Sequence, residues 1–192
     1  VGMTNHDFTI SAWVLADDFE SIENTIFVIE SSNTGEQPPS SSVMLSAGKH
    51  NAYGCRFHIR GDGGALNYTG PGVEQANRWY QLTAVYRHDE AQAIVYVDGL
   101  EIDVRTGTLG NVLNGKIATH AIGGSISSGR YHDGQIDDVR IYNRALSGAE
   151  VTQLYDSEKP APPPPPSLPP PTPPPQLPPK SPPNPPPPPP SP

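Results

Sequence analysis

The chain of 192 residues holds one cysteine, Cys55. An intramolecular disulfide and a thiolate-built metal site are therefore excluded. Basic residues are also scarce: twelve Lys and Arg against twenty Asp and Glu leave a formal charge of −8. They are scattered without a run, which argues against nucleic acid and against anionic membrane surfaces, since both need a basic face. No apolar stretch is long enough to span a bilayer, so no membrane insertion is expected. Gly-x-Ser-x-Gly, His-Glu-x-x-His and phosphate-loop patterns are all missing, and the six histidines, among them His50, His58, His88, His120 and His132, have no ligand spacing. The chain opens at Val1-Gly2-Met3-Thr4, almost directly into a strand pattern, and reads as a piece of something longer, so localisation has to be argued from other features.

What the chain has in excess is proline. Residues 160–192 hold twenty-three of its twenty-six prolines. Proline fixes φ, offers no backbone donor and pushes its predecessor out of the helical region, so this run cannot be a helix, a central strand or a packed core. It is expected to form a polyproline II rod rising about 3.1 Å per residue, roughly 100 Å if straight. The rest, with all four Phe, both Trp and all eight Tyr, is one ordinary domain with a sizeable core. The expected division is a domain over 1–156 and a Pro-rich tail over 157–192, with 157–159 as the joint.

The domain is rich in strand patterns. Phe8 to Val14 alternates apolar and polar, the period of a half-buried strand. Thr25–Glu30, Ser42–Ser46, Cys55–Arg60, Trp79–Tyr86, Ala93–Val97, Leu100–Val104, Ala118–Gly123 and Gln135–Tyr142 read likewise. Turn chemistry separates them, as at Asn33 to Pro39 and Gly61-Asp62-Gly63-Gly64. Asp98-Gly99 between alternating apolar residues predicts a hairpin, because a type I′ turn needs φ > 0 at both positions. One helix is predicted: Ser147-Gly148-Ala149-Glu150 is a capping box, followed by the apolar stripe Val151, Leu154 and Tyr155. The expectation is an all-β, two-sheet antiparallel sandwich with one short C-terminal helix, followed by the rod.

The order of these segments resembles a known family. Phe8-Thr9-Ile10-Ser11-Ala12-Trp13-Val14, Trp79 to Tyr86, Val95-Tyr96-Val97-Asp98-Gly99 and Ile122-Gly123-Gly124 lead to Gly134-Gln135-Ile136-Asp137-Asp138-Val139-Arg140-Ile141-Tyr142-Asn143-Arg144-Ala145-Leu146-Ser147, with Glu150 closing the series. This resembles the laminin-G-like jelly roll of the concanavalin A-like lectin/glucanase superfamily, over residues 6–155. Such domains begin with a further strand or two near the closing strand. Here that segment is missing. It precedes Val1 or comes from a neighbouring molecule, and an unpaired edge of this kind is a route to a filament.

The tail resembles the hydroxyproline-rich glycoproteins of algal and plant extracellular matrices. That resemblance implies prolyl hydroxylation and O-linked arabinose or galactose at Pro163, Pro164, Pro165, Pro166, Pro170, Pro171, Pro174, Pro175, Pro179, Pro183, Pro186, Pro187, Pro188, Pro189 and Pro190, with Ser167, Ser181 and Ser191 as further acceptors. In a cytosolic setting its Pro-x-x-Pro repeats would suit SH3 or WW domains, but only Lys159 and Lys180 supply the flanking cation such ligands use.

Three chemistries follow from the resemblance to the jelly roll. Glucanases of that superfamily use Glu-x-Asp-x-(x)-Glu on one strand, with alternate carboxylates on one face. Glu101-Ile102-Asp103-Val104 starts the pattern, but Arg105 and Thr106 stand where the second Glu must be, so no enzyme is expected. Laminin-G-like domains often hold Ca²⁺ with carboxylates and carbonyls. The motif places Asp137 and Asp138 as ligands, with Asp17 and Asp18 as a second source. The alternative is that Asp137 and Asp138 orient the final strand. Sugar stacking on exposed aromatics would fall to Tyr53, Tyr68 and Tyr131, beside Gly-rich loops, whereas Trp13 and Trp79 match core positions. Separately, Asn67-Tyr68-Thr69 is an N-glycosylation sequon after a Gly-rich turn. The expected function is non-enzymatic: an extracellular structural glycoprotein of the cell surface or wall matrix. Its lectin-like head would sit on a glycosylated rod and assemble with copies of itself in a fibre, with matrix polysaccharide as a further partner. The alternative is a monomeric carbohydrate-binding adhesin with a Pro-rich spacer.

Overall fold

The computed structural model describes residues 5–18, 23–32, 41–48, 54–70, 73, 75–113, 116–125 and 130–159. The whole tail from 160, with the expected modification positions Pro163 to Ser191, and the candidate Tyr53 lie outside the described residues. In chain order the strands are β1 (Phe8–Ala16), β2 (Glu23–Ser32), β3 (Ser41–Gly48), β4 (Cys55–Gly61), β5 (Gly64–Gly70), β6 (Tyr80–Arg87), β7 (Gln92–Val97), β8 (Leu100–Thr106), β9 (Lys116–Ile122), β10 (Gly124–Ser125), β11 (Arg130–Tyr131) and β12 (Gly134–Tyr142). The helix α1 (Gly148–Glu158) follows. One antiparallel sheet runs β12-β1-β6-β7-β8 and the other β5-β4-β3-β2-β9, with β10 and β11 a separate ribbon. The fold is the all-β jelly-roll sandwich. Its core lies between the sheets, where Phe8, Ile10, Leu82, Tyr86 and Val95 meet Phe27, Leu45, Phe57 and Ile59.

The alternation in β1 predicts burial of one face only, and here the structure differs. Thr9 and Ser11 are as buried as Phe8 and Ile10. The outer face of the first sheet is covered by α1 and the segment leading into it, which close over Val85, Ile94 and Tyr96 with Leu146 and Val151. Burial there requires every polar group to be paired. Thr9 donates to the Arg144 carbonyl (2.9 Å) and accepts from the Leu146 amide (3.0 Å). Ser11 and Thr83 hydroxyls meet at 3.0 Å.

The capping box forms as predicted. The Ser147 side chain accepts from the Glu150 amide at 3.3 Å, and the Glu150 carboxylate accepts from the Ser147 amide at 2.8 Å. The helix runs to Glu158, and its last turn belongs to the domain. The Glu158 carboxylate accepts from Trp13 Nε1 (2.9 Å) and Gln81 Nε2 (2.8 Å) and pairs with Arg140. Trp13 stacks on Tyr155 at 5.7 Å between ring centres, so it is core beneath the helix rather than between the sheets. Trp79 sits half-buried just before β6. The first compact unit accordingly extends to Lys159.

At the Asp98-Gly99 hairpin both residues have positive φ, +51° and +75°, as a type I′ turn requires. Gly99 meets a second demand, because a Cβ there would lie 2.9 Å from Tyr155 Cβ. Thr152 also donates to its carbonyl at 3.0 Å, docking the helix onto the hairpin.

Strand β5 is absent from the sequence reading, which assigns no element to residues 65–70. Its terminal glycines and central Asn67 are poor strand formers, yet full pairing with β4 from Cys55↔Gly70 to Gly61↔Gly64 imposes the strand. The β4–β5 turn is latched from outside: Asp62 accepts from the Asn111 amide (2.8 Å) and side chain (2.9 Å).

Candidate functional site

Strand β4 alternates strictly. Cys55, Phe57 and Ile59 enter the core, while Arg56, His58 and Arg60 stand on the outer face of the second sheet. Arg60 is exposed and the other two are half-buried. On β5, Leu66 and Tyr68 turn inward and Asn67 outward, directly opposite His58. The Asn67 carbonyl oxygen receives Arg56 Nη2 at 3.4 Å and faces His58 Nδ1 at 2.5 Å. The Arg56 donor marks that end of the amide as oxygen, and a hydrogen bond to it from His58 uses the tautomer with hydrogen on Nδ1. A guanidinium, an imidazole and an amide are thus held edge to edge on two paired strands, with the second guanidinium one pleat further on. The scatter of basic residues in the sequence conceals this grouping. The signal that would have found it is the period of two, which sends residues 56, 58 and 60 to one face.

The other expected residues fare differently. Tyr68 is buried, 4 % exposed, with its hydroxyl beside the Cys55 thiol, so it cannot stack on a sugar. Its side chain follows the pleat inward, and Gly70 leaves it room, since a Cβ there would lie 2.3 Å from the hydroxyl. Burial pushes the Cys55 thiol up to about 12 and the Tyr68 phenol up as well. Cys55 is thus an inert core thiol. Tyr131 is exposed on the small ribbon. Asn67 is exposed, with its oxygen engaged as above.

Asp137 and Asp138 form the irregularity where β1 and β12 slip register between Ser11↔Arg140 and Trp13↔Asp137. Asp138 adopts φ +47°, the Asp137 carboxylate accepts its amide at 2.8 Å, and Arg140 lies 3.5 Å from Asp138. Both residues thereby shape the bend in the final strand. Among the described residues no three His, Cys, Asp or Glu side chains converge as a metal site.

The partial glucanase pattern is split by a bulge. Glu101 pairs with Tyr96 and Asp103 with Val95. Val95 faces the core while Tyr96 faces the helix, so the two carboxylates leave β8 on opposite sides. Asp103 is held by Arg105 at 2.5 Å. A further concavity of about 590 Å³ opens at the rim between Asn5, Asp7, His88 and Arg144. Its lining is tied up locally, with the Asp7 carboxylate on the His88 amide (2.8 Å) and Arg144 on Glu150 (2.8 Å).

Several solved structures share this architecture. Domain 4 of an extracellular GH43 arabinanase from Geobacillus stearothermophilus, in complex with arabinotriose, superposes with a TM-score of 0.59 at 23 % identity, covering 79 % of this chain and 67 % of that one. The CBM40 of Ruminococcus gnavus IT-sialidase, bound to α2,3-sialyllactose, gives 0.63 at 14 % identity over 78 % and 83 %. The heptameric SAP-like pentraxin of Limulus polyphemus gives 0.58 at 15 % identity over 79 % and 70 %. No curated protein matches. At these identities the likeness speaks for the fold. Residues 1–152 match the Laminin_G_3 family, and by that match together with the two-sheet jelly roll, the chain belongs to the concanavalin A-like lectin/glucanases superfamily.

Proposed function

We propose that the domain is a non-catalytic carbohydrate-binding head, acting outside the cell, and that the Pro-rich tail spaces it from the surface or matrix that carries it. The observation that carries the reading is the outer face of β4 and β5, where Arg56, His58 and Asn67 present planar hydrogen-bonding edges on a rigid scaffold. Sugar hydroxyls are bound by such pre-oriented donors and acceptors, because little side-chain freedom is lost on binding. The architecture is shared with an arabinanase domain complexed with arabinotriose and a module bound to sialyllactose, which supports the same reading. Of the two functions read from the sequence, the glycan-binding one is therefore favoured over the fibre, which no observation on the described residues supports. Matrix polysaccharide is the partner class, and hydroxylated, O-glycosylated proline the expected state of the tail.

Asn67 has two proposed uses that exclude each other. With its oxygen held by Arg56 and His58, the amide nitrogen is the atom left to carry an N-glycan, and a glycan there would lie across the binding face. Affinity electrophoresis of the full chain through gels containing wall polysaccharides tests the function. Retardation by at least one polysaccharide, reduced in Asn67→Ala and His58→Ala, is expected. Equal mobility in every gel would overturn it. Glycopeptide mass spectrometry of native material tests the tail: one oxygen added per modified proline, with pentose or hexose, is expected, and bare proline throughout would refute it.

A further inference from the structure

The outer face of β4 is basic in a chain that is acidic as a whole. Arg56, His58 and Arg60 occupy consecutive outward positions, about 7 Å apart for each pair of residues along a strand. Against them the described part of this face offers one carboxylate, Glu30 on β2, separated from Arg60 by the intervening strand residue Ser42. Asp62, two positions on from Arg60, is in the turn, and its two oxygens accept from Asn111. A net charge of −8 repels anionic polymers at long range. A local row of guanidinium groups is therefore the arrangement that would let such a ligand dock in one place and one register. Guanidinium binds carboxylate through two parallel hydrogen bonds. The second, independent observation is pre-orientation. The carbonyl oxygen of Asn67 holds Arg56 and His58 from the side, and the Asp62–Asn111 latch fixes the turn that follows Arg60.

We propose that this face recognises a carboxylate-bearing glycan, with the exposed Arg60 guanidinium on a carboxylate of the chain and Asn67 on its hydroxyls. The inference rests on the carbohydrate-binding reading and names its ligand class. Neutral glycan would meet the same Asn67 but leave the Arg60 fork unused.

The test uses the full chain in affinity electrophoresis against four probes: polygalacturonate, its fully methyl-esterified form, neutral galactan and dextran sulfate. Polygalacturonate should bind most tightly, with the methyl ester and the galactan weaker by about tenfold or more, the loss expected for one charge-assisted contact. Arg60→Gln should lose about tenfold on polygalacturonate alone, and Arg60→Lys should recover only part of it, since a point charge lacks the fork. Arg60 is exposed, so both variants should unfold at the wild-type temperature, which is measured alongside. Equal affinity for the ester and the free acid would overturn the acidic specificity and leave glycan binding standing. A preference for dextran sulfate, or unchanged binding by Arg60→Gln, would also overturn it. Failure to bind any of the four, in a chain that also fails with every wall polysaccharide, would overturn the broader reading with it.

Discussion

The two sheets carry the same kind of alternating strand, yet the outward positions of β1 and β6 on the first end in a different state from those of β4 and β5 on the second. On the first sheet the outward residues Thr9, Ser11, Thr83 and Gln81 are closed from water, each 1 % exposed or less. On the second, at β4 and β5, Arg60 and Asn67 face solvent. What distinguishes them is the cover. The helix α1 lies on the first sheet and turns its polar residues into structure, with the Thr9, Ser11 and Thr83 hydroxyls and Gln81 Nε2 each bonded to a neighbour. The comparison teaches that polar residues at outward strand positions do not by themselves mark a binding face; only the uncovered ones are available to a ligand.

Removing the cover's anchor should have the largest effect. Glu158→Ala leaves Trp13 Nε1 and the buried Gln81 side-chain amide without their acceptor and takes one of the two carboxylates from Arg140. A loss of about 3 kcal/mol is expected, at the lower end for a buried pair because Arg140 is partly exposed. Urea unfolding of the variant measures it, and a change under about 1 kcal/mol would mean the helix end is dispensable. Glu158→Gln, which keeps an acceptor for Trp13, should lose less.

Next in size is Gly99→Ala. It forces a Cβ onto a residue at φ +75° and against Tyr155, at an expected cost of about 2 kcal/mol. Thermal unfolding checks it. Because the strain falls on the covered sheet, glycan affinity of the folded variant should stay at the wild-type value, which separates the two faces directly.

A smaller effect is expected at the helix start. Arg144 first, then the Ser147 amide and hydroxyl, hold the Glu150 carboxyl down at about 2, against an ordinary value of 4.5. A lowered carboxyl stabilises the folded state while ionised. That contribution is complete above about 4.5 and is lost as pH falls through about 2. Wild type should lose slightly more stability than Glu150→Gln between those limits, seen as converging urea midpoints. Parallel curves would contradict the assignment.

Much of this fold is legible in the sequence because it rests on local signals. The alternation of Phe8–Val14, the Asp98-Gly99 turn and the Ser147–Glu150 box each act over a few residues, and each appears where expected. What is not legible depends on contacts between distant segments. Burial of Thr9 and Ser11 needs a helix some 140 residues later. Strand β5 needs its pairing to β4, and the inward turn of Tyr68 follows from that pairing rather than from its neighbours in sequence. The candidate site lies between these extremes. The facing of Arg56, His58 and Arg60 is written in the period of two, but Asn67 joins them only through the register His58↔Asn67. Net charge, a sum over the chain, hides a basic row of this size.

The central claim is that the uncovered β4–β5 face, and not the covered sheet or the rim, holds the ligand. Titrating the isotopically labelled full chain with a short galacturonate oligomer while following backbone amide resonances tests this most directly. Shifts confined to Arg56–Arg60 and Asn67 with their strand neighbours are the predicted result. Shifts centred on Asn5, His88 and Arg144 at the rim, or on the helix-covered sheet, would contradict it.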